Sequence, residues 1–140
     1  MILLDTNILS ELMRSKPNTR VVQWLDAQRE WDVWISAITV AEIRLGISLL
    51  PDGKRKQSLE DLSEEMFQED FTDRCLPFDY EAANEYARIV VERNQQGLPI
   101  SVEDSQIAAI AKTGDLTLAT RNTKDFSHIT GLKIINPWEV

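Results

Sequence analysis

Four stretches of this 140-residue chain carry groups able to do chemistry, and each lies where an apolar run ends or a helical pattern begins. Asp5 follows Ile2-Leu3-Leu4. Glu42 comes early in the segment after Trp31-Asp32-Val33-Trp34-Ile35, Asp104 opens a late apolar-periodic stretch, and Asn122 and Asp125 share the loop after Leu116-Thr117-Leu118-Ala119-Thr120. Carboxylates brought together repel, and some take up protons unless a cation neutralises them, so a convergent set calls for a hard divalent metal. Ligands that are all oxygen fit Mg²⁺, with Mn²⁺ as the alternative. Neither Cys75 nor His128 belongs to this set, which argues against zinc.

Each acid also has a purely structural explanation. Asp5 suits the N-cap of a helix starting near Asn7. Thr39-Val40-Ala41-Glu42 and Ser101-Val102-Glu103-Asp104 both fit a capping box, with Thr39 the expected cap of the first. What favours chemistry is their common placement. Right-handed crossovers in a parallel sheet bring strand ends and the following helix starts to one edge, where ligands bind.

The elements that must position these groups alternate. Ile2-Leu3-Leu4 reads as a strand buried on both faces. Thr6 to Met13 forms a short helix, broken by Arg14-Ser15-Lys16-Pro17-Asn18, and Asn18 caps a second helix running to about Arg29. Trp31 to Ile35 is the second strand. Val40, Ile43, Ile47 and Leu50 recur at helical spacing within Ser36 to Leu50. After the Pro51-Asp52-Gly53 turn, Leu59, Leu62, Met66 and Phe67 mark a helix from Lys54 to about Phe71. These two helices are expected as a hairpin standing off the sheet, offering a surface to a partner. Cys75 to Phe78 is a short strand with Pro77 placing it at an edge. Helices follow from Asp79 to Gly97 and from Val102 to Lys112, with strands at Leu116 to Thr120 and Leu132 to Ile135. The expected fold is a single domain over residues 1–140, an α/β class, three-layer α/β/α sandwich with a mainly parallel sheet.

Composition narrows the class. At 43% hydrophobic and 27% charged residues the chain is neither disordered nor fibrous. Its apolar runs are too short to span a membrane. Twenty-three acids against 15 bases give a net charge of −8, which excludes nucleic-acid binding by bulk attraction but not an enzyme that reaches phosphodiesters through bound cations. The single cysteine, Cys75, is expected as a small buried residue in a reducing compartment. With no export signal ahead of the first strand, the cytoplasm is the expected location.

The quoted segments also carry a family resemblance. Met1 to Asn7, Ile38 to Gly46, Asp104 to Ala111, Ala119 to Asn122, and Asp125-Phe126 together resemble the PIN-domain ribonuclease toxins of bacterial toxin–antitoxin pairs, the VapC type. The ending Ile134-Ile135-Asn136-Pro137-Trp138 is similar to the FitB-like branch. The resemblance implies a PIN-like fold and an acidic triad of Asp5, Glu42 and Asp104 around Mg²⁺, with Asp5 and Asp104 as direct ligands. It puts Asn122 where many members have a fourth acid, and Asp125 is the candidate substitute. Thr6 and Thr120 are implied as supports for a carboxylate or a metal-bound water. It also implies an RNA substrate, a small cognate antitoxin covering the acidic crevice, homodimers, and DNA contact only through the antitoxin.

The chemistry expected is metal-dependent hydrolysis of an RNA phosphodiester, with Glu42 holding water or acting as base and Arg14, Lys16, Arg44 and Arg121 as candidate phosphate contacts. Loss of Asp5 or Asp104 is expected to abolish cleavage and spare the fold. The competing readings are a phospho-receiver, in which Asp5 is the phosphorylated residue and Lys124 the late lysine, and a catalytically inactive binding module, for which Asn122 speaks.

Overall fold

A computed structural model describes all 140 residues. Five strands form one all-parallel sheet in the order β3-β2-β1-β4-β5: β1 is Ile2–Leu4, β2 Val33–Ser36, β3 Cys75–Leu76, β4 Thr117–Ala119 and β5 Ile134–Ile135. Six helices flank it: α1 (Thr6–Leu12), α2 (Thr19–Asp26), α3 (Ala37–Ser48), α4 (Lys54–Glu65), α5 (Tyr80–Gln95) and α6 (Val102–Thr113). The three-layer expectation holds, and the sheet is wholly rather than mainly parallel.

The central strand explains the layering. Successive side chains on a strand point to opposite faces. Leu3 therefore packs with Ile89, Ile107 and Phe126 beneath α5 and α6, while Leu4 packs with Ile8, Val21 and Ile43 beneath α1, α2 and α3. Both leucines are fully buried. In β1, Leu3 sits in register with Trp34 of β2 and Leu118 of β4.

Several boundaries differ from the sequence expectation. Trp31 and Asp32 lie in a 3₁₀ turn rather than in β2, and the strand instead continues through Ser36. That extension moves the cap of α3: the Ser36 hydroxyl accepts the Thr39 N–H at 3.1 Å, so Ser36 and not Thr39 is the N-cap. The α3–α4 hairpin does not stand free of the sheet. Ile43, Ile47, Met66 and Phe71 from this region are buried in the core with Leu4. The helix begun at Lys54 changes to a π-helical turn over Met66–Asp70. Cys75 lies exposed on the edge strand β3, which corrects its assignment as a buried residue.

Candidate functional site

Between β1 and β4 the strand order reverses direction, β2 and β3 lying on one side and β5 on the other. Crevices form at the carboxyl ends of the strands at such a switch point. Asp5 leaves β1 there, and Thr120 leaves β4 beside it. Their placement is a direct consequence of the topology.

Asp5 is 4% exposed and accepts three hydrogen bonds. The Thr6 N–H donates to Oδ1 at 2.8 Å, while the Thr120 hydroxyl and Asn7 Nδ2 donate to Oδ2 at 2.8 and 3.2 Å. The residue is thus the N-cap of α1 and part of the acidic site at once. A carboxylate offers about four lone-pair positions, so roughly one remains for another partner. Burial raises the Asp5 pKa most; the bonds from Thr120 and Thr6 oppose it, and the charges of Glu42 and Asp125 add to the rise.

Glu42 is brought in by α3 and is tied to α1. The Thr6 hydroxyl donates to its Oε1 at 2.7 Å and lies 3.0 Å from the hydroxyl of buried Thr39. With Ser36 as the cap, Glu42 falls outside the first turn of α3, and the capping-box explanation of this acid does not apply.

Asp104 sits in the first turn of α6, its N–H capped by the Ser101 hydroxyl at 3.1 Å. Its pKa rises from 3.8 to about 6. Burial is the main cause and the neighbouring Asp5 charge the next; Ser101 opposes them, and the charges of Asp125 and Glu42 add to the rise. Asp5, Glu42, Asp104 and Asp125, drawn from four separate segments, therefore share one electrostatic environment. They stand apart rather than closed into a ready-made cage of three ligands.

The loop after β4 supplies the remaining groups. Asn122 is exposed; its N–H donates to Thr120 Oγ1 at 3.1 Å, and its side chain has no hydrogen-bond partner. Asp125, by contrast, acts on both Asp5 and Asp104 through its charge. Arg121 lies over the Trp138 ring at 5.0 Å, and its N–H donates to Asn7 Oδ1 at 3.3 Å. Among the candidate phosphate contacts, Arg44 is engaged by Glu64 at 2.7 Å and lies over Phe67. Lys16 is exposed. Arg14 pairs with Glu11 at 3.2 Å and lines a cleft of about 650 Å³ that opens on Thr6 and Glu42, with Arg55 also on its wall.

Three supporting residues have no site role in the sequence, where Thr39 is expected only as a helix cap. Asn7 bridges Asp5, Thr120 and the Arg121 amide. Thr39 backs the Thr6 hydroxyl. Arg93, 4% exposed near the end of α5, donates to the main-chain carbonyls of Leu98, Asp125 and Ser127. Asn7 had a signal, since it follows directly on the strand-ending acid; the partners of Thr39 and Arg93 are too remote in sequence to leave one.

Comparison with known proteins agrees with this geometry. The PIN domain family matches residues 2–132. Toxin FitB of Neisseria gonorrhoeae is 47% identical over 138 residues, covering 99% of each chain, and the VapC ribonuclease Y4jK of Sinorhizobium fredii is 41% identical over 139 residues with the same coverage. The solved structure of FitAB bound to an IR36 DNA fragment superposes with a TM-score of 0.92 at 46% identity, covering 100% of this chain and 97% of that one. An all-parallel five-stranded sheet flanked by six helices is thus the architecture of a known class. The chain belongs to the PIN-domain family, in the group of FitB- and VapC-type toxins. Membership removes the phospho-receiver reading, and no helix is long and apolar enough to cross a membrane.

Proposed function

We propose that this protein is the toxin of a toxin–antitoxin pair and hydrolyses RNA phosphodiester bonds with Mg²⁺ held by Asp5 and Asp104. The observation that carries the reading is the convergence of Asp5 from the end of β1, Glu42 from α3 and Asp104 from the first turn of α6, where burial and the charge of Asp5 push the Asp104 carboxyl up to about 6. Two acids so placed are costly unless a cation joins them. PIN-domain ribonucleases depend on divalent metals as a class. Oxygen-only donors match Mg²⁺, with Mn²⁺ the nearest substitute.

When bound, the ion supplies an acidified water and neutralises charge on the phosphoryl oxygens. The side chains do the rest. Asp5 is fixed in orientation by Thr6, Asn7 and Thr120. Glu42 has Oε1 engaged by Thr6, which leaves Oε2 to orient or deprotonate the attacking water. Asp125 contributes the fourth charge, and Asn122 stands at the polar rim. Arg14, on the cleft wall beside Glu42, is placed to meet a backbone phosphate.

The same cleft has an apolar floor that includes Met13, Ile43 and Ile47, which suits the tail of a cognate antitoxin. A segment seated there would cover Glu42 and shut the site. DNA contact through the antitoxin, in a complex like FitAB on its DNA fragment, follows from the same partnership. Leu45 on α3 and Leu49 at its C-cap are 61% and 76% exposed, a face suited to a second copy of the chain. A cytoplasmic location would put the enzyme with its RNA.

Purified, antitoxin-free protein incubated with total RNA tests the reading. Cleavage should require Mg²⁺, stop with EDTA and be absent from Asp104→Ala. Cleavage unchanged in EDTA, or in folded Asp104→Ala, would overturn it.

A further inference from the structure

Arg93 is a buried cation with no carboxylate partner. None of the eight ion pairs in the chain involves it. Its guanidinium is spent on main-chain carbonyls instead. Nε donates to Leu98 O at 2.7 Å, and Nη1 donates to Asp125 O at 2.8 Å and to Ser127 O at 2.9 Å. Burying an unpaired charge is unfavourable unless such dipoles compensate it, and hydrogen bonds from a charged donor are the strong ones.

The carbonyls it holds belong to two particular loops. Leu98 lies in the connection to Ser101, the cap that fixes the first turn of α6 and with it Asp104. Asp125 and Ser127 belong to the 3₁₀ turn after β4 and its cap. One planar side chain thus clasps the segments that deliver two of the four converging acids. Its neighbours add to the hold: Glu92 on α5 accepts the Thr130 N–H at 2.8 Å, and Gln96 at the C-cap donates to His128 O at 3.2 Å. Gly97, at φ +71, lets the chain reverse so that Leu98 N also bonds Arg93 O at 2.9 Å. A lysine carries the charge but lacks the rigid fork that reaches both loops.

We propose that Arg93 is a positioning residue for the cation site, fixing the spacing of Asp104 and Asp125 and thereby the affinity of the acid cluster for a divalent ion. The proposal rests on the reading of that cluster as a cation site. Residues that orient ligands without touching the ion typically change affinity by about 10- to 100-fold when altered.

The test compares wild type with Arg93→Met, Arg93→Lys and Ile89→Ala. Ile89 is buried on the same helix and touches neither loop through a hydrogen bond, so its variant controls for lost stability. Mn²⁺ is titrated into each folded protein and free ion is counted by its paramagnetic resonance signal. Arg93→Met should weaken binding about 10-fold or more, and Arg93→Lys should fall between it and wild type. Ile89→Ala should keep wild-type affinity at a temperature where it is folded. In RNA cleavage, the Arg93 variants should lose kcat rather than gain KM, and raised Mg²⁺ should restore it. Wild-type affinity in a folded Arg93→Met protein, or in Arg93→Lys where the methionine variant does not fold, would reduce Arg93 to a structural tie. Absence of Mn²⁺ binding in the wild type would remove the parent reading itself, and this proposal with it.

Discussion

The Thr120 hydroxyl donates a 2.8 Å hydrogen bond to Asp5 Oδ2, joining residues 115 positions apart. The bond exists because β1 and β4 are neighbours in the sheet, with Leu4 in register with Ala119, so the residues that follow each strand emerge side by side. Thr120 is fully buried, and its oxygen also receives Asn7 Nδ2 at 3.3 Å and the Asn122 N–H at 3.1 Å. Thr120→Val should cost about 1–3 kcal/mol, because it strips a donor from a buried carboxylate and removes an acceptor shared by Asn7 Nδ2 and the Asn122 N–H. Since the Thr120 bond lowers the Asp5 pKa, its loss pushes that pKa higher still, and the acid limb of the cleavage profile should move to higher pH. Thr120→Ser, which keeps the hydroxyl, should restore the profile. An unmoved limb in Thr120→Val would separate this hydroxyl from the chemistry.

Removing either aspartate of the proposed cation site should abolish cleavage, yet the consequences for stability should be opposite. Asp5 caps α1 and anchors a buried network, so Asp5→Ala should cost roughly 1–3 kcal/mol. The sequence shows no sign of this anchoring, which comes from burial and three hydrogen bonds. The Asp104 side chain faces burial and like charge with little to offset them, so Asp104→Asn should raise the thermal midpoint of the metal-free protein at pH 7. Scanning calorimetry of both variants in EDTA checks the contrast.

The raised Asp104 pKa also sets a pH dependence. The folded protein takes up this proton near pH 6, whereas the unfolded chain does so near the ordinary 3.8. Between those values the folded state holds more protons, so stability is greatest below the window and falls as pH rises through it. In EDTA the thermal midpoint should therefore decline between about pH 4 and pH 6 from this group, and Asp104→Asn should flatten that part of the slope. Mg²⁺ at 100 times its pH 7 dissociation constant should stabilise by about 2.7 kcal/mol at pH 7, and by less at pH 5, where Asp104 holds its proton. Equal stabilisation by Mg²⁺ at both pH values would count against Asp104 as a ligand.

The parts of this molecule that were legible in its sequence are those governed by local pattern. Ile2-Leu3-Leu4 announced a doubly buried strand because both its faces meet helices, and Asn18 is the cap of its helix as an Asx residue there should be, while Asp79, expected as the first residue of its helix, caps it instead. Thr39 misled because a hydroxyl three residues before a glutamate satisfies the capping pattern, while the hydroxyl that caps, Ser36, depended on β2 running one residue further. Cys75 misled for a related reason: a small apolar residue in a short strand is buried only if the strand is flanked, and β3 is an edge. Asp5, Glu42 and Asp104 could be named from strand ends and helix starts. Arg93 could not, because donors to distant carbonyls leave no periodic trace.

The fourth acid tests the limits of that reading most directly. The family resemblance places Asn122 at the position of interest; its side chain and that of Asp125 are both exposed and unpartnered, and they differ in that Asp125 carries a charge, which raises both Asp5 and Asp104. Asp125→Asn should therefore weaken Mn²⁺ binding, and it should also raise the metal-free thermal midpoint at pH 7 by relieving repulsion. Asn122→Ala should change neither by much, since it removes no charge and no hydrogen bond; its main-chain bond to Thr120 survives the substitution. Asn122→Asp adds a carboxylate at the rim and should tighten Mn²⁺ binding if the rim faces the ion. Calorimetric titration with Mn²⁺ across the three variants ranks the two positions, and a loss confined to Asn122→Ala would reverse the assignment.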